Sequence, residues 1–343
     1  MRVAVLSGEW AEPNLIGSDD GSFWRLNSGN NSELHGLIRA FNPDFVSIQY
    51  SPFGYSRQGV PWSLGKRIRD LIGDVPIHIF FHETWIKKQS GLGCRAINHK
   101  SIRFLQREAV RRLVRTLKPN VIHTSNAYYR KELSGLLAGL GVGVIPVFSN
   151  ITVMPVKDWA RKRSELLAHF TGVGQAIRIH VFFGKLPPEW PLKDVLVALD
   201  DAAAQNGLTA LFLSVGELRR GELLWRRCAC AARWKGRLVA LGGVSAEDVS
   251  HTLQVADCGI AVSPPHLLDK SGAVAAMGEH GLPVYVPLSP DQSTGEVGRD
   301  NEGNQQLIFF QPGWENRLAI ATRFPFRERV GEVAEQFLAA LKK

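Results

Sequence analysis

The sequence predicts an α/β protein with two doubly wound, Rossmann-like domains, and three observations support this. Its 343 residues exceed the usual length of one such domain. Short runs rich in Val, Ile and Phe alternate with amphipathic segments, as buried parallel strands alternate with helices in βαβ units. The alternation breaks near the middle of the chain and then restarts, which favours two similar halves.

The predicted strands are the short apolar runs. In the first half these are residues 3–6, 45–48, 77–81, 121–122 and 142–148, and in the second half residues 177–183, 210–215, 238–241, 259–262, 284–286 and 307–310.

One long helix is predicted over residues 100–118. Apolar residues recur there at spacings of three and four, which is typical of an amphipathic helix; they are Ile102, Leu105, Ala109, Leu113 and Leu117. The other faces carry arginines at 103, 107, 111, 112 and 115. We interpret them as a solvated face, with contact to anionic lipid as the alternative.

The domain boundary is predicted within residues 156–176, where a charged stretch and a predicted helix lead into a glycine-rich segment before a fresh strand. We expect a first domain over residues 1–165 and a second domain over 166–320. Residues 321–343 should form a C-terminal helix that packs back toward the first domain.

Composition limits the possible environments. No apolar window of about 18 residues predicts a membrane span, and the opening MRVAVLSGEW reads as a first strand rather than a signal peptide. The four cysteines lack zinc-ligand spacing. Free thiols in a cytoplasmic protein are expected, although Cys228 and Cys230 could pair.

The net charge of +9 suits anionic partners. Nucleotide phosphates, or an anionic membrane touched peripherally at its inner face, are the partners that we expect. The basic residues are spread through helices rather than interleaved with aromatic residues on strands, so we do not expect nucleic acid as a partner.

Polar or small residues follow most predicted strands, where ligands bind in doubly wound folds. They are Ser7-Gly8-Glu9, Gln49-Tyr50, His82-Glu83, Ser125-Asn126, Ser149-Asn150, Gly184-Lys185, Gly216-Glu217, Gly242-Gly243 and Ser263-Pro264. Loops are generally polar, which accounts for some of these residues. The abrupt change from buried-type runs to His-Glu or Gly-Lys indicates ligand sites.

Three segments of the second half resemble the donor domain of GT-B glycosyltransferases. They are VFFGKLPPEWPLKDVLVAL at residues 181–199, LVALGGVSAEDVSHTLQVADCGIAVSP at residues 238–264, and DKSGAVAAMGEHGLPVYVP at residues 269–287. In the first half, SIQYSPFGYSRQGVPW and IFFHETW resemble the acceptor half of bacterial family-4-type (group 1) transferases.

The resemblance implies a GT-B fold, in which two Rossmann-like doubly wound domains face an interdomain cleft. It also implies transfer of a sugar from a nucleotide-sugar donor to a hydroxyl of a glycan, lipid-linked glycan or small molecule. Two departures stand out. The two glutamates of many retaining members are replaced by Leu268 and Ala276, and the Lys-Gly of the first donor loop by Trp190-Pro191.

The predicted donor-binding residues are Gly184, Lys185, Gly243, Lys270, Ser271 and Gly272. Ser271 should cap a short helix that ends before Gly281, and a helix N-terminus with Lys270 beside it suits a diphosphate. An ordinary capped helix with a neighbouring lysine is the structural alternative. Lys185 would reach the same diphosphate, with Lys193 as its substitute.

The predicted catalytic residues are His82 and Glu83, because an inverting transferase needs a base for the acceptor proton. Glu9, Asp19 and Asp20 compete for this role, and Gly8, Glu9 and Tyr50 are predicted to bind the acceptor. The loop over residues 17–32 should either line the acceptor side or be disordered. His82 could instead be a structural histidine at the edge of the core.

No cofactor and no essential metal are expected, with the nucleotide sugar acting as substrate. The acidic pairs Asp19-Asp20 and Asp200-Asp201 are interpreted as solvated rather than metal-binding. Two other functions stay open: a nucleotide-sugar epimerase of the same fold, and a catalytically silent nucleotide- or glycan-binding protein.

Overall fold

A computed structural model describes residues 1–8, 23–26, 31–85, 94–170, 176–288, 305–316 and 322–342. The chain forms two compact units, Met1–Pro146 with Ala334–Lys343, and Val147–Val333. Each unit contains a six-stranded, fully parallel sheet among its described residues. This confirms the predicted α/β class with two doubly wound domains.

The first unit has the strand order β2-β1-β3-β4-β5-β6. Its strands are β1 (Val3–Gly8), β2 (Phe23–Leu26), β3 (Phe45–Tyr50), β4 (Ile77–Phe81), β5 (Val121–Thr124) and β6 (Gly143–Val144). Its helices are α1 (Asn31–Phe41), α2 (Pro52–Tyr55), α3 (Leu64–Ile72), α4 (Cys94–Leu117) and α5 (Ala127–Leu136). The direction of winding reverses between β1 and β3, so these two strands flank the switch point of the sheet.

The second unit has the order β12-β11-β10-β7-β8-β9. Its strands are β7 (Ile177–Phe183), β8 (Thr209–Val215), β9 (Leu238–Ala240), β10 (Cys258–Ile260), β11 (Val284–Val286) and β12 (Leu307–Phe309). Its helices are α6 (Trp159–Leu167), α7 (Leu192–Gln205), α8 (Glu222–Ala229), α9 (Ala246–Val255) and α10 (Gly272–Glu279). Counted within the unit, this is the dinucleotide-binding strand order 3-2-1-4-5-6. Helix α11 (Val330–Leu341) follows, and from Ala334 onward it belongs to the first unit.

The two sheets are covered differently. Alternate strand residues of the second sheet enter two separate apolar clusters, so both of its faces are apolar. In the first sheet, one apolar cluster gathers the residues of a single face, including Leu6, Ile48, Ile79 and Phe81. Its opposite face carries several polar side chains, among them Ser47 and His78, which are completely buried.

The boundary lies at Pro146 and Val147, earlier than the predicted 165 and 166. The reason is that α6 packs within the second unit. Arg163 there forms an ion pair with Asp257 at 2.9 Å, and the Trp159 indole donates to the Gln254 carbonyl at 3.3 Å. At the other end of the chain, residues from Ala334 onward belong to the first unit.

Two local predictions were wrong. Strand β2 occupies residues that were predicted to be loop. In α4, Leu105 is 39 % exposed while Gln106 is completely buried. The buried stripe of this helix is therefore shifted by one residue from the predicted apolar face at that turn.

Candidate functional site

The carboxyl edge of the second sheet carries glycines where three neighbouring strands end. Gly184, Gly216 and Gly242 follow β7, β8 and β9 with φ values of 84°, 86° and 71°, a region that L side chains rarely adopt. Backbone hydrogen bonds from Gly184 to Val215 and from Gly216 to Gly242, at 2.9 and 2.8 Å, continue the sheet through these turns. The edge thus presents backbone rather than side chains.

These turns differ in how much space surrounds them. A Cβ on Gly216 would lie 3.3 Å from the Cα of Gly184, so those two turns touch. At Gly184 and Gly242 no described atom comes within 4 Å of the position that a Cβ would occupy. Gly243 is exposed, and an added Cβ would be 3.7 Å from the Glu217 side chain.

Helix α10 begins beside the switch point of this sheet, in the loop after β10. Its N-cap is Ser271, as predicted, and the hydroxyl accepts from the Val274 amide at 3.3 Å. Ser263, at the end of the β10 strand region, donates to the Ser271 hydroxyl at 2.9 Å. At Gly272 no described atom lies within 4 Å of the Cβ position, so the first turn of the helix can be approached closely.

Cations lie at both sides of this switch point. Lys270 immediately precedes the α10 N-cap and is half-buried, while Lys185 follows Gly184 and is exposed. Lys193, the predicted substitute for Lys185, is exposed in the first turn of α7. Helix N-terminus, lysines and accessible glycine backbone together form a setting that suits phosphate groups.

One basic residue of this edge was missed by sequence reasoning. Arg219 adopts a φ of 50° in the loop after β8, which is uncommon for a residue with a side chain. Its guanidinium lies 3.6 Å from Glu217, and both are exposed. No sequence pattern signals a left-handed arginine, since glycine is the residue that usually marks this conformation.

The carboxyl edge of the first sheet presents side chains instead. His82 follows β4 and is half-buried, and its Nε2 lies 2.7 Å from Oε1 of Gln49 at the end of β3. Glu83 is exposed and accepts from the Ser51 hydroxyl at 3.3 Å. The two predicted catalytic residues therefore have different neighbours.

Four buried polar atoms at this edge have no hydrogen-bond partner within the described structure: Ser7 Oγ, Tyr50 Oη, Ser125 Oγ and Asn126 Nδ2. They lie in or just after β1, β3 and β5. Leaving such an atom unsatisfied costs about 1–3 kcal/mol, and such atoms call for an explanation such as a ligand or water. Similar atoms, including Ser214 Oγ, also occur in the second sheet.

Of the predicted acceptor residues, the structure describes Tyr50 and Gly8. The Tyr50 ring is completely buried and packs on Phe81 with centroids 5.0 Å apart, so an acceptor could reach it only after a local opening. Burial raises the pKa of its hydroxyl. Gly8 ends β1 beside the switch point, while Glu9, Asp19 and Asp20 lie outside the described residues.

Of the acidic pair Asp200-Asp201, Asp200 is not solvated as predicted, whereas the Asp201 side chain is 55 % exposed and pairs with Arg233. Asp200 is 9 % exposed and pairs with Arg233 at 2.7 Å and Arg237 at 2.8 Å. Burial by itself raises the pKa of this carboxyl, but the hydrogen bonds from Arg237 and Arg233 outweigh it and the net pKa is lowered. The pair is a structural ion cluster.

The described ranges contain no group of three or more His, Cys, Asp or Glu side chains that could hold a metal ion, and metal independence stays a prediction. Cys228, Cys230 and Cys258 are free thiols. Leu268 and Ala276 are 2 % and 0 % exposed, so the two positions at which the resemblance implied the loss of glutamates are apolar and packed.

No protein-family model matches the chain, and neither does any curated protein sequence. Solved structures do match. The HepE protein of Anabaena in complex with UDP aligns at 13 % identity and a TM-score of 0.55, over 99 % of this chain and 92 % of that one. HepE is also solved with UDP-glucose.

Sucrose-phosphate synthase from Thermosynechococcus elongatus aligns at 14 % identity with a TM-score of 0.53, over 99 % of this chain and 80 % of that one. A putative UDP-N-acetylglucosamine 2-epimerase from Listeria monocytogenes aligns at 13 % identity with a TM-score of 0.51, over 94 % and 82 %. At such identities the likeness concerns the fold. The chain therefore has the two-domain fold shared by GT-B glycosyltransferases and nucleotide-sugar epimerases.

Proposed function

We propose that the chain is a glycosyltransferase that moves a sugar from a nucleotide-sugar donor to a hydroxyl of a glycan, lipid-linked glycan or small molecule. The observation that carries this proposal is the switch point of the second sheet. There the capped N-terminus of α10, Lys270 and the turn at Gly184-Lys185 surround one strand pair, β7 and β10. A diphosphate is the ligand that this combination of charge and backbone suits best.

The same groups would assist the chemical step. As the sugar leaves, the nucleoside diphosphate gains negative charge, and fixed positive groups stabilise that charge in the transition state. Lys270 and Lys185 would supply full charges, and the α10 N-terminus its unpaired amides. Ser271, tied to both Val274 and Ser263, would hold this turn in place.

We assign the acceptor side to the first unit. His82 would accept the proton of the attacking hydroxyl, because a neutral imidazole is a suitable base near neutral pH. Glu83 is the alternative base. The four unsatisfied polar atoms at the carboxyl edge of this sheet support a polar, hydroxyl-rich ligand in the same region.

A uridine diphosphate sugar is the donor that we favour, since HepE, which has the same fold, is solved with UDP and with UDP-glucose. The epimerase alternative is supported by the Listeria structure. The packed apolar residues Leu268 and Ala276 argue against a retaining mechanism through a glutamate pair, and they keep a silent binding protein as the third candidate.

Peripheral contact with an anionic membrane is also proposed, through the outer face of α4. Phe104 is 64 % exposed on this helix and Leu105 39 %, and the Arg115 side chain is 74 % exposed. Exposed aromatic and basic residues on one helix are typical of interfacial binding. None of the described helices is long and apolar enough to span a bilayer, so the contact would be with the surface.

A thermal-shift panel of nucleoside diphosphates tests the donor assignment. A ligand at about 100 times its dissociation constant stabilises the folded protein by about 2.7 kcal/mol. We expect UDP to raise the unfolding temperature more than ADP or GDP, and Lys270→Ala to remove about half of that shift. A panel with no response would contradict nucleotide binding.

Product analysis then separates the three candidates. With UDP-sugar alone, an epimerase yields an isomeric UDP-sugar, whereas a transferase yields UDP and sugar slowly, and faster once an acceptor is added. Binding without either product would favour the silent protein. Co-sedimentation with phosphatidylglycerol vesicles, compared with phosphatidylcholine vesicles, tests the membrane contact, with Phe104→Ser as the variant expected to bind less.

A further inference from the structure

A continuous row of hydrogen bonds crosses the first sheet and ends at His82. We call it the histidine row, and its members are His123, His78, Ser47, Gln49 and His82. His123 Nδ1 lies 3.1 Å from His78 Nε2, and His78 Nδ1 lies 2.8 Å from Ser47 Oγ. Gln49 Nε2 donates to Ser47 Oγ at 2.8 Å, and Gln49 Oε1 lies 2.7 Å from His82 Nε2.

The row occupies the non-apolar face of the sheet. Ser47 pairs with His78 in the β3–β4 register, and residues two apart on a strand share a face. His78 and Ser47 are completely buried and His123 is 7 % exposed. The Phe337 ring of α11 covers His78 with centroids 5.1 Å apart, and Phe80 packs against His82 at 4.7 Å.

Burial favours the neutral form of His78 and of His123. Burial, assisted by the neighbouring His123 and His82 rings, lowers the pKa of His78 to about 3. Burial also lowers the pKa of His123. A neutral imidazole has one N–H donor and one lone-pair acceptor. Each ring in the row therefore accepts a hydrogen bond at one nitrogen and donates one at the other.

The Gln49 amide favours one direction of donation along the row. Its nitrogen donates to Ser47, which leaves the Ser47 hydroxyl hydrogen available for Nδ1 of His78. In that arrangement His78 carries its hydrogen on Nε2 and donates it to His123. At the other end, the amide oxygen can only accept, which favours the His82 tautomer with its hydrogen on Nε2 and its lone pair on Nδ1.

We propose that the histidine row positions His82: it fixes the orientation and the tautomer of the imidazole, so that Nδ1 is the atom that takes the proton of the acceptor hydroxyl. Gln49 and Ser47 are then positioning residues, which act through His82 without contacting substrate. This inference rests on the proposed function for the role of Nδ1. The tautomer itself is a property of the protein alone.

The test is histidine tautomer spectroscopy on the full chain with ¹⁵N-labelled histidine. The His82 signals are assigned by their loss in His82→Gln. We expect wild type to show a protonated-type Nε2 and a lone-pair-type Nδ1. Gln49→Leu, which keeps volume but removes both hydrogen bonds, should shift both signals toward the averaged values of exchanging tautomers.

Thr124→Val is the matched control. It removes a buried hydrogen bond to the Phe81 carbonyl, 2.9 Å long, on the opposite face of the neighbouring strands. A general structural disturbance would alter the His82 signals in both variants, whereas the positioning role predicts a change in Gln49→Leu alone. Should Gln49→Leu not fold, Ser47→Ala carries the same test, because it removes the anchor of the Gln49 amide.

Unchanged His82 signals in Gln49→Leu, or in Ser47→Ala where that replaces it, would overturn the inference whatever the activity. Kinetics separate this from the proposed function. In an active wild type, Gln49→Leu should lower kcat about tenfold with the donor KM unchanged, and should add nothing to His82→Ala. A wild type that transfers no sugar, yet shows the fixed tautomer, would refute the function and leave the row intact.

Discussion

The two sheets of this protein are both parallel and doubly wound, but different groups lie at the carboxyl ends of their strands. Strands β7, β8 and β9 finish in glycines with positive φ, and their bodies lie between two apolar clusters. Strands β3, β4 and β5 are apolar on one face and carry the histidine row on the other. One sheet offers backbone and nearby cations, and the other offers oriented side chains.

This difference suggests a division of labour between the units. Phosphate groups are bound by amides and positive charge, which need open backbone and little side-chain chemistry. Proton transfer needs one titratable group held in a defined orientation. Substitutions in one unit test this division, because each should disturb the function of that unit and leave the function of the other intact.

The largest effect is expected at His82. His82→Ala should lower the rate of sugar transfer by about two to four orders of magnitude, the range for a lost general base. UDP affinity should barely change, because the proposed nucleotide site lies in the second unit. Single-turnover kinetics measure the rate and titration calorimetry the affinity.

Glu83→Ala is the control for His82, since the two side chains have different partners. If Glu83→Ala is inactive while His82→Ala transfers normally, the base is Glu83. A fall of only about tenfold in His82→Ala, far less than expected for a lost base, would indicate a sugar contact.

The histidines of the two sheets should make stability depend on pH. His78 in the first sheet and His180 in the second both have their pKa lowered to about 3, mainly by burial. The unfolded chain therefore binds protons that the folded chain does not. Their contribution is complete above about pH 6.5, the ordinary histidine value, and is lost as the pH falls toward 3.

Each such histidine should steepen the loss of unfolding free energy by about 1.4 kcal/mol per pH unit in that window. Urea unfolding at pH 7 and pH 5.5 measures the loss for wild type, His78→Leu and His180→Leu. Each variant should show a smaller loss than wild type. A variant that keeps the full pH dependence would show that its histidine is already protonated or exposed in the folded protein.

Substitution of Lys270 tests the proposed donor site in the second unit. Lys270→Ala should weaken UDP binding about tenfold, equivalent to about 1.4 kcal/mol, because a cation beside the α10 N-terminus is lost. Lys235→Ala, an exposed lysine of the same unit, is the control for general charge effects. Equal UDP affinity for wild type and Lys270→Ala, by calorimetry, would remove this lysine from the phosphate site.

Substitution of Gly216 tests whether the open backbone at the glycine turns takes part in donor binding. Gly216→Ala should destabilise the fold by about 1 kcal/mol for left-handed alanine, with an added term because the Cβ would lie 3.3 Å from Gly184. Gly207→Ala, where φ is 69° and no described atom is near, measures the conformational cost alone. A loss of UDP affinity in Gly216→Ala only would assign the turn to the donor site, and equal effects would make it purely structural.

The sequence predicted every strand except β2 because buried parallel strands are short apolar runs, and it predicted the Ser271 cap because the capping residue lies beside its helix. It did not predict β2, since four residues flanked by Asn, Gly and Ser carry little strand signal. His78 and His123 were not singled out, because their partners come from other strands. The buried Gln106 and the Asp200 ion cluster depend in the same way on tertiary contacts.

The smallest effect is expected from removing metal ions. If Lys185, Lys270 and the α10 N-terminus neutralise the leaving diphosphate, a divalent cation has no necessary part, and sugar transfer should persist in EDTA at close to its full rate. This prediction concerns the second unit alone, since Lys185, Lys270 and α10 all belong to it. Lys270→Ala should then become partly dependent on added Mg²⁺, because the ion can replace a lost charge at a phosphate. The rate is measured for both proteins after dialysis against EDTA, with and without Mg²⁺. If EDTA abolishes wild-type activity and Mg²⁺ restores it, the lysines are insufficient and the protein uses a metal ion.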